Sequence, residues 1–206
     1  MTTRTLAVLS AGLSVPSSTR LLADRLTTAT VAALRARGED ATVEVVELRA
    51  HAHDLADALV TGFPNAALRT AVDTVVGADG LIAVTPVFSA SYSGLFKTFF
   101  DVLDNDALTG KPVLMGATAG SPRHSLVLEH AVRPLFSYLR AVTVPTAVFA
   151  AADDWAGGGV DATLASRIDR AAGELAGLVD GQPVTSRPAD PFADPTTSFE
   201  DLLRGQ

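Results

Sequence analysis

A short turn near the start of the chain is crowded with hydroxyl groups. In the segment LAVLSAGLSVPSSTRLLADRL, an apolar run gives way to a stretch of helical period. Five hydroxyl residues lie at or after the end of the apolar run: Ser10, Ser14, Ser17, Ser18 and Thr19. Hydroxyls donate hydrogen bonds in adjustable directions, and a helix N-terminus adds unpaired amides with a partial positive charge. The turn is therefore a candidate phosphate site, although a plain N-cap cluster stays open as the alternative.

Other well-known phosphate and nucleophile motifs are missing from the chain. The sequence contains no GxxxxGK[ST] motif for a nucleoside triphosphate and no GxGxxG motif for a dinucleotide. It also lacks the GxSxG elbow of serine hydrolases. Any phosphate in the first turn must therefore be held by hydroxyls and main-chain amides.

A second segment has the composition of a ligand-binding loop. The stretch VTPVFSASYSGLFKTFFD, residues 84–101, leaves an apolar run through Pro86 and enters a helix at Ser93 or Gly94. Pro86, Val87 and Phe88 can present an apolar edge to a flat heterocycle. The alternative is an ordinary connection in which Phe88 and Tyr92 fill the core.

Composition limits the classes of partner. The formal net charge of −7 argues against nucleic acid, because binding to phosphates along a duplex needs a basic field. Cysteine is absent, which excludes disulfides and thiolate chemistry. His51 and His53 stand close together in HAHD without an evident third ligand, so we expect no metal site. No apolar run reaches the length of a membrane span, and we expect a soluble cytoplasmic protein.

Strands and helices alternate along the chain, as in a βαβ fold. Short apolar runs predict five strands, at Thr5–Ser10, Thr42–Leu48, Gly80–Thr85, Pro112–Ala117 and Val142–Ala150. Helical periodicity predicts five helices, at Ser18–Arg37, Asn65–Val76, Gly94–Leu103, Ser125–Arg140 and Ala162–Val179. The fold class is thus α/β, a doubly wound parallel sheet with helices on both faces, for which the flavodoxin-like order 2-1-3-4-5 is common. We expect one domain over residues 1–180 and a Pro-rich tail over residues 181–206.

Several segments together resemble a known family. TPVFSASYSGLFKTFFD is similar to the T-P-x-Y-x-x-S-x-S-G-x-L-K signature of the NADPH-dependent FMN reductases of flavodoxin-like fold. The serine-rich first turn, GATAGSPRH after the fourth strand, and LVLEHAVRPLFSYLRA agree with that family. The chain most resembles the reductase components of two-component monooxygenase systems. Phe88 stands where tyrosine is usual, which keeps the ring and loses a hydroxyl.

The resemblance implies a flavin site built from three loops. The residues that would bind the FMN phosphate are Ser10, Ser17, Ser18 and Thr19. The residues that would line the isoalloxazine ring are Pro86, Val87, Phe88 and Ser89. Its opposite wall would comprise Thr118, Ala119, Gly120 and Ser121. Because hydride transfer between two planar rings needs positioning more than an acid or base, we assign no catalytic side chain. Arg123, which follows the Gly120 loop, is a candidate contact for the NADPH phosphate, and a solvated loop arginine is the alternative.

The implied activity is NAD(P)H-dependent reduction of FMN, with FMN and NADPH as ligands and a flavin-dependent monooxygenase as partner. One alternative is a quinone or azo reductase that retains FMN, and another is a non-catalytic flavin-binding redox or electron-transfer protein. The family resemblance and the apolar fourth helix also predict a homo-oligomer, a dimer or a tetramer.

Overall fold

The computed structural model describes residues 3–155 and 161–181. Its strands are β1 (Thr3–Ser10), β2 (Asp40–Glu47), β3 (Gly80–Phe88), β4 (Ser91–Tyr92), β5 (Pro112–Ala119), β6 (Val142–Thr143) and β7 (Val148–Ala151). Its α-helices are α1 (Ser18–Ala36), α2 (Ala52–Thr61), α3 (Ala66–Gly77), α4 (Gly94–Asp101), α5 (Arg133–Tyr138) and α6 (Ala162–Asp180). Short 3₁₀ turns cover Leu48–His51, Pro122–His124 and Ala152–Trp155, and a π-helical turn covers Leu128–Val132.

The strands form one sheet in the order β2-β1-β3-β5-β6, with β7 also paired to β5. All of these pairs are parallel, and β4 adds a short antiparallel partner to β3. The predicted flavodoxin-like order is therefore confirmed. In such a sheet the carboxyl ends of β1, β3 and β5 lie side by side at one edge.

Helices cover both faces of the sheet, as predicted. In β1, Leu6 and Val8 point to the face covered by α1 and α6, and Ala7 and Leu9 point to the opposite face. This alternation is the two-residue period of a strand. All four side chains are fully buried, since a central parallel strand is covered on both sides.

The predicted fifth strand, Val142–Ala150, is wrong as a single strand. It divides into β6 and β7, which pair with opposite ends of β5. The chain between them contains Pro145, which has no amide hydrogen for a ladder. The Arg133 guanidinium binds the carbonyls of Val144 and Pro145, and Glu174 accepts from the Thr146 amide. Side chains thus form hydrogen bonds with the backbone groups where the strand pairing is interrupted.

Two helical regions also differ from the prediction. The segment after β2, in which no helix was predicted, forms a 3₁₀ turn and then α2. The predicted helix Ser125–Arg140 is interrupted, because the π-helical turn at 128–132 precedes α5. Pro134 lies in the first turn of α5, where it has no amide to donate to the preceding turn. The π-helical turn packs beside β4.

The predicted tail over residues 181–206 lies, beyond Gly181, outside the described residues. In the segments 3–155 and 161–181, no helix has both the length and the apolar character that crossing a membrane requires.

Candidate functional site

Three loops meet where β1, β3 and β5 end. Ser10, the last residue of β1, is in register with Val84 of β3, and Pro86 of β3 is in register with Thr118 of β5. The Ala11 amide donates to the Val84 carbonyl at 3.0 Å, so the first turn leaves β1 while still attached to β3. The three segments chosen from the sequence are thus brought together at one edge of the sheet.

The first turn folds tightly around its own hydroxyls. Ser17 is the N-cap of α1, and its Oγ accepts a hydrogen bond from the Arg20 amide at 3.2 Å. The N-cap alternative is therefore correct for Ser17, and the cap leaves the Ser17 hydroxyl hydrogen free to donate. A Cβ on Gly12 would lie only 2.1 Å from Ser17 Oγ, so a side chain at this position would displace the capping hydroxyl. Ser18 is exposed at the start of α1.

A buried pair of hydroxyls joins the first turn to the end of β5. Thr19 Oγ1 and Thr118 Oγ1 are 2.8 Å apart, and either one can be the donor. Thr19 is 2% exposed and Thr118 is 3% exposed. Because one hydroxyl donates to the other, the acceptor keeps a hydrogen for a further partner. The pair therefore fixes two loops together and retains a donor.

The first cation that follows the turn in the sequence is already paired. Residues 10–19 contain no lysine, arginine or histidine. Arg20 Nε donates to Asp24 at 2.8 Å, and Arg20 Nη1 donates to Glu47. The hydrogen bond to Asp24 raises the pKa of Arg20. Burial disfavours the charged form of Glu47, but hydrogen bonds from Arg49 and Arg20 outweigh it and lower its pKa.

The second loop is a β-hairpin. Val87 pairs with Tyr92 and Phe88 with Ser91, leaving Ser89 and Ala90 as the two turn residues. Both have positive φ, +47° for Ser89 and +70° for Ala90. Two left-handed residues in succession are the pattern of a type I′ turn, which favours asparagine and glycine. Two residues with a Cβ therefore occupy strained positions at the hairpin tip.

The hairpin exposes an apolar edge. Pro86 is buried, Val87 is half-buried, and Phe88 is 46% exposed. The alternative in which Phe88 fills the core is therefore wrong. Tyr92 does lie against the core, with its ring centroid 5.9 Å from that of Phe96.

The third loop continues from β5. Ala119 is half-buried, Gly120 is exposed and Ser121 is half-buried. Nothing lies within 4 Å of a Cβ built on Gly120, so the backbone there is open to a ligand. Arg123 follows in an exposed 3₁₀ turn. A cation thus stands on the rim, outside the hydroxyl cluster.

The two histidines considered for a metal lie apart from this cluster in sequence. His51 Nδ1 is 3.6 Å from Asp54 Oδ2, and His53 is exposed on α2. In the part of the chain that the structure describes, no three histidine, aspartate or glutamate residues are grouped as metal ligands.

The donor set fits a phosphate-bearing flat molecule. The first turn supplies hydroxyls and helix amides for the anion, and the hairpin and the open backbone at Gly120 leave two surfaces for a planar ring. Two residues with structural roles here were not predicted from the sequence. They are Gly12, which makes room for the Ser17 side chain, and Thr85. The signal for Gly12 was only its position two residues after β1.

The chain matches the family model described as NADPH-dependent FMN reductase over residues 4–156. The chain belongs to this family. It is 40% identical over 165 residues to "NADH-dependent FMN reductase SfnE" of Pseudomonas putida, covering 80% of this chain and 86% of the relative. It is 42% identical over 111 residues to "FMN reductase (NADPH)" of Pseudomonas aeruginosa, covering 54% and 60%.

A solved structure agrees with this membership. The oxidoreductase from Corynebacterium diphtheriae superposes with a TM-score of 0.84 at 54% identity, covering 88% of this chain and 99% of that chain. The resemblance inferred from the sequence is thereby confirmed. So are the flavodoxin-like fold and the family's activity, NAD(P)H:FMN oxidoreduction with FMN and a nicotinamide nucleotide as ligands.

Proposed function

We propose that the three loops hold FMN during its reduction by a nicotinamide nucleotide. The observation that carries this proposal is the contact between Thr19 and Thr118, which fixes the hydroxyl turn against the end of β5. Ser10, Ser17, Ser18 and Thr19 hold the phosphate with the first amides of α1. Pro86, Val87, Phe88 and Ser89 line one side of the ring, and Thr118, Ala119, Gly120 and Ser121 line the other.

FMN held by these residues would supply the redox chemistry, which is hydride acceptance from the nicotinamide. This chain's residues orient the two rings and keep one ring edge accessible. Main-chain amides of the loop after β5 would stabilise the negative charge on the polar edge of a reduced ring. No side-chain acid or base is required, and none is assigned.

We further propose that NADPH is the preferred donor and that Arg123 contacts its additional phosphate. Arginine matches the geometry of phosphate oxygens, and Arg123 is exposed directly beyond the Gly120 loop. The relatives differ in this property, because one is named for NADH and the other for NADPH.

We also propose that reduced FMN leaves the site to serve a partner monooxygenase. The resemblance of residues 85–101 to the reductase components of two-component systems supports this role, as does the exposed hairpin edge at Phe88. We propose that the chain works in the cytoplasm as a homo-oligomer, with residues 1–180 as one domain.

The deciding experiment is NADPH oxidation followed at 340 nm, on protein whose flavin content has been recorded, with and without added FMN. We expect the rate to rise with FMN and to saturate, because FMN is then a substrate. Turnover that requires a quinone or an azo compound, on protein that retains FMN, would favour the alternative enzyme. Absence of turnover with every acceptor would leave a flavin-binding role without catalysis.

A further inference from the structure

A single buried hydroxyl closes the base of the hairpin. Thr85 is fully buried in β3, one residue before the segment proposed to face the ring. Its Oγ1 accepts a hydrogen bond from the Ser93 amide at 3.0 Å, across the whole hairpin. The same hydroxyl donates to the Pro86 carbonyl at 2.9 Å. The Thr85 hydroxyl therefore connects Pro86, where the hairpin begins, with Ser93, where the hairpin ends.

The far side of this contact is anchored in the core. Ser93 is 1% exposed and is the N-cap of α4, where its Oγ accepts from the Phe96 amide at 3.2 Å. Phe96 and Phe100 of α4 pack against Phe136, with ring centroids 6.4 and 5.1 Å away. The Thr85 hydroxyl thus ties the hairpin to a buried aromatic cluster.

The hairpin needs such a tie because its own pairing is short. Only two residue pairs hold β3 to β4, and both turn residues have positive φ without being glycine. A strained turn persists when surrounding contacts determine its conformation. The hydroxyl bridge at the base is a contact of this kind.

We propose that Thr85 is a positioning residue, whose hydroxyl closes the base of the hairpin and so fixes residues 86–92 in the orientation that receives the flavin ring. The proposal rests on the proposed function, in which the hairpin faces that ring. It predicts that removing the hydroxyl weakens recognition of the ring and leaves recognition of the phosphate unchanged.

The test compares Thr85→Val, which keeps the shape and removes the hydroxyl, with Thr85→Ser, which keeps the hydroxyl. Thr30→Val is the matched control, because Thr30 is also fully buried and its Oγ1 donates to the Leu26 carbonyl at 2.8 Å, within α1. For each protein, kcat/KM is measured at fixed NADPH with FMN and with riboflavin, which has the same ring and no phosphate.

We expect Thr85→Val to lower kcat/KM for both flavins by the same factor, about tenfold or more, because the Ser93 amide loses its buried acceptor. Thr85→Ser is expected to restore most of the loss, and Thr30→Val to match the wild type. Wild-type values in Thr85→Val, a loss confined to FMN, or an equal loss in Thr30→Val would each overturn the proposal.

A measurement on the wild-type chain covers the case in which Thr85→Val fails to fold. Hydrogen exchange of the Ser93 amide is expected to be slow without flavin, as for a core amide, and rapid exchange would overturn the proposal. The wild-type assay also separates the two proposals. Failure of the wild type to reduce FMN refutes the proposed function, whereas normal wild-type turnover with an unaffected Thr85→Val refutes only the role of Thr85.

Discussion

At the scale of single residues, hydroxyl groups and amides provide the donors of the first turn. Ser17 uses its oxygen to cap α1 and keeps its hydrogen, while Thr19 and Thr118 share one hydrogen between them. Hydrogen bonds to a charged acceptor are stronger than those between neutral groups. A few such donors are therefore sufficient for a phosphate group.

The double variant Ser18→Ala/Thr19→Val tests the phosphate role of this turn. It removes two hydroxyls, and the loss of charge-assisted hydrogen bonds is expected to weaken FMN binding by about 2–4 kcal/mol. Titration of the quenching of Trp155, the only tryptophan, measures this affinity. Trp155 follows β7 at the same edge of the sheet. An unchanged affinity would remove the turn from the site.

The variant Arg123→Ala tests the choice of nicotinamide nucleotide. We expect kcat/KM for NADPH to fall about tenfold or more, because one charged contact to phosphate is lost, while kcat/KM for NADH stays unchanged. Arg49→Ala is a suitable control, since Arg49 is an exposed arginine that pairs with Glu47. An equal fall with both nucleotides would contradict the proposed contact.

Individual residue roles were only partly predictable. Ser10, Ser17 and Thr19 stood out because hydroxyls were clustered after an apolar run. Gly12 and Thr85 did not, because their roles depend on close contacts, with Ser17 and Ser93, that no local pattern encodes. Arg20 directly follows the hydroxyl turn, but its pairing with Asp24 and Glu47 depends on the folded arrangement of α1 and β2.

At the scale of elements, the hairpin turn contains residues that do not favour its backbone conformation. A two-residue turn of this kind favours asparagine followed by glycine, but the chain has Ser89 and Ala90. The left-handed conformation costs a residue with a Cβ about 1–2 kcal/mol. Stability is therefore lost at the tip of the hairpin.

The double variant Ser89→Asn/Ala90→Gly is expected to stabilise the fold. Relief of the turn strain, less the larger entropy of glycine in the unfolded chain, leaves about 1 kcal/mol. For a chain of this size, that gain corresponds to a rise of about 2–4 °C in Tm. Differential scanning calorimetry without ligand measures it, and an unchanged or lower Tm would show that the turn is not strained.

Most of the sheet could be predicted from the sequence, and the departures have local causes. β1, β3 and β5 are continuous apolar runs, and their positions follow from that pattern. The fifth strand is interrupted at Pro145, and the interruption is stabilised by Arg133 of the preceding helix α5 and by Glu174 of α6, whose contacts the strand pattern does not encode. α2 was missed because its segment, AHDLADALVT, is short and is separated from β2 only by the 3₁₀ turn Leu48–His51.

At the scale of the whole molecule, a buried lysine ties the start of β5 to the end of α3, at the edge of the sheet opposite the site. Lys111 is 9% exposed and lies before β5. Its ammonium donates to the carbonyls of Val76, at 2.9 Å, and Ala78, at the end of α3. Burial lowers the pKa of Lys111 to about 8, although Asp79 works in the opposite direction.

This lysine is expected to make stability depend on pH. Its pKa is about 8 in the folded protein and 10.5 as the ordinary value, so the unfolded chain binds more protons between these values. The free energy of unfolding should therefore rise across that window, by up to about 1.4 kcal/mol per pH unit. Urea unfolding of the wild type and Lys111→Met from pH 7.5 to 10 checks this. Parallel profiles for the two proteins would contradict it.

The proposed homo-oligomer can be tested through an exposed apolar surface. Leu126, just before the π-helical turn, is 64% exposed, and Tyr138, the last residue of α5, is 69% exposed. Light scattering is expected to give a multiple of 21.3 kDa, and Leu126→Glu/Tyr138→Glu is expected to reduce it to the monomer. Val60→Glu, at a residue 88% exposed on α2, is the control. A wild type that is only monomeric would refute the assembly.

The pairing of Arg20 with Asp24 and Glu47 has a consequence for the rate at which FMN arrives. The protein carries a formal charge of −7, and the first turn offers no lysine, arginine or histidine to attract a negatively charged ligand from a distance. Long-range repulsion then slows the encounter, and the neutral donors act only at short range. Salt shortens the reach of that repulsion to about 10 Å at 0.1 M. Higher ionic strength should accordingly speed the capture of FMN, the reverse of what electrostatic steering produces.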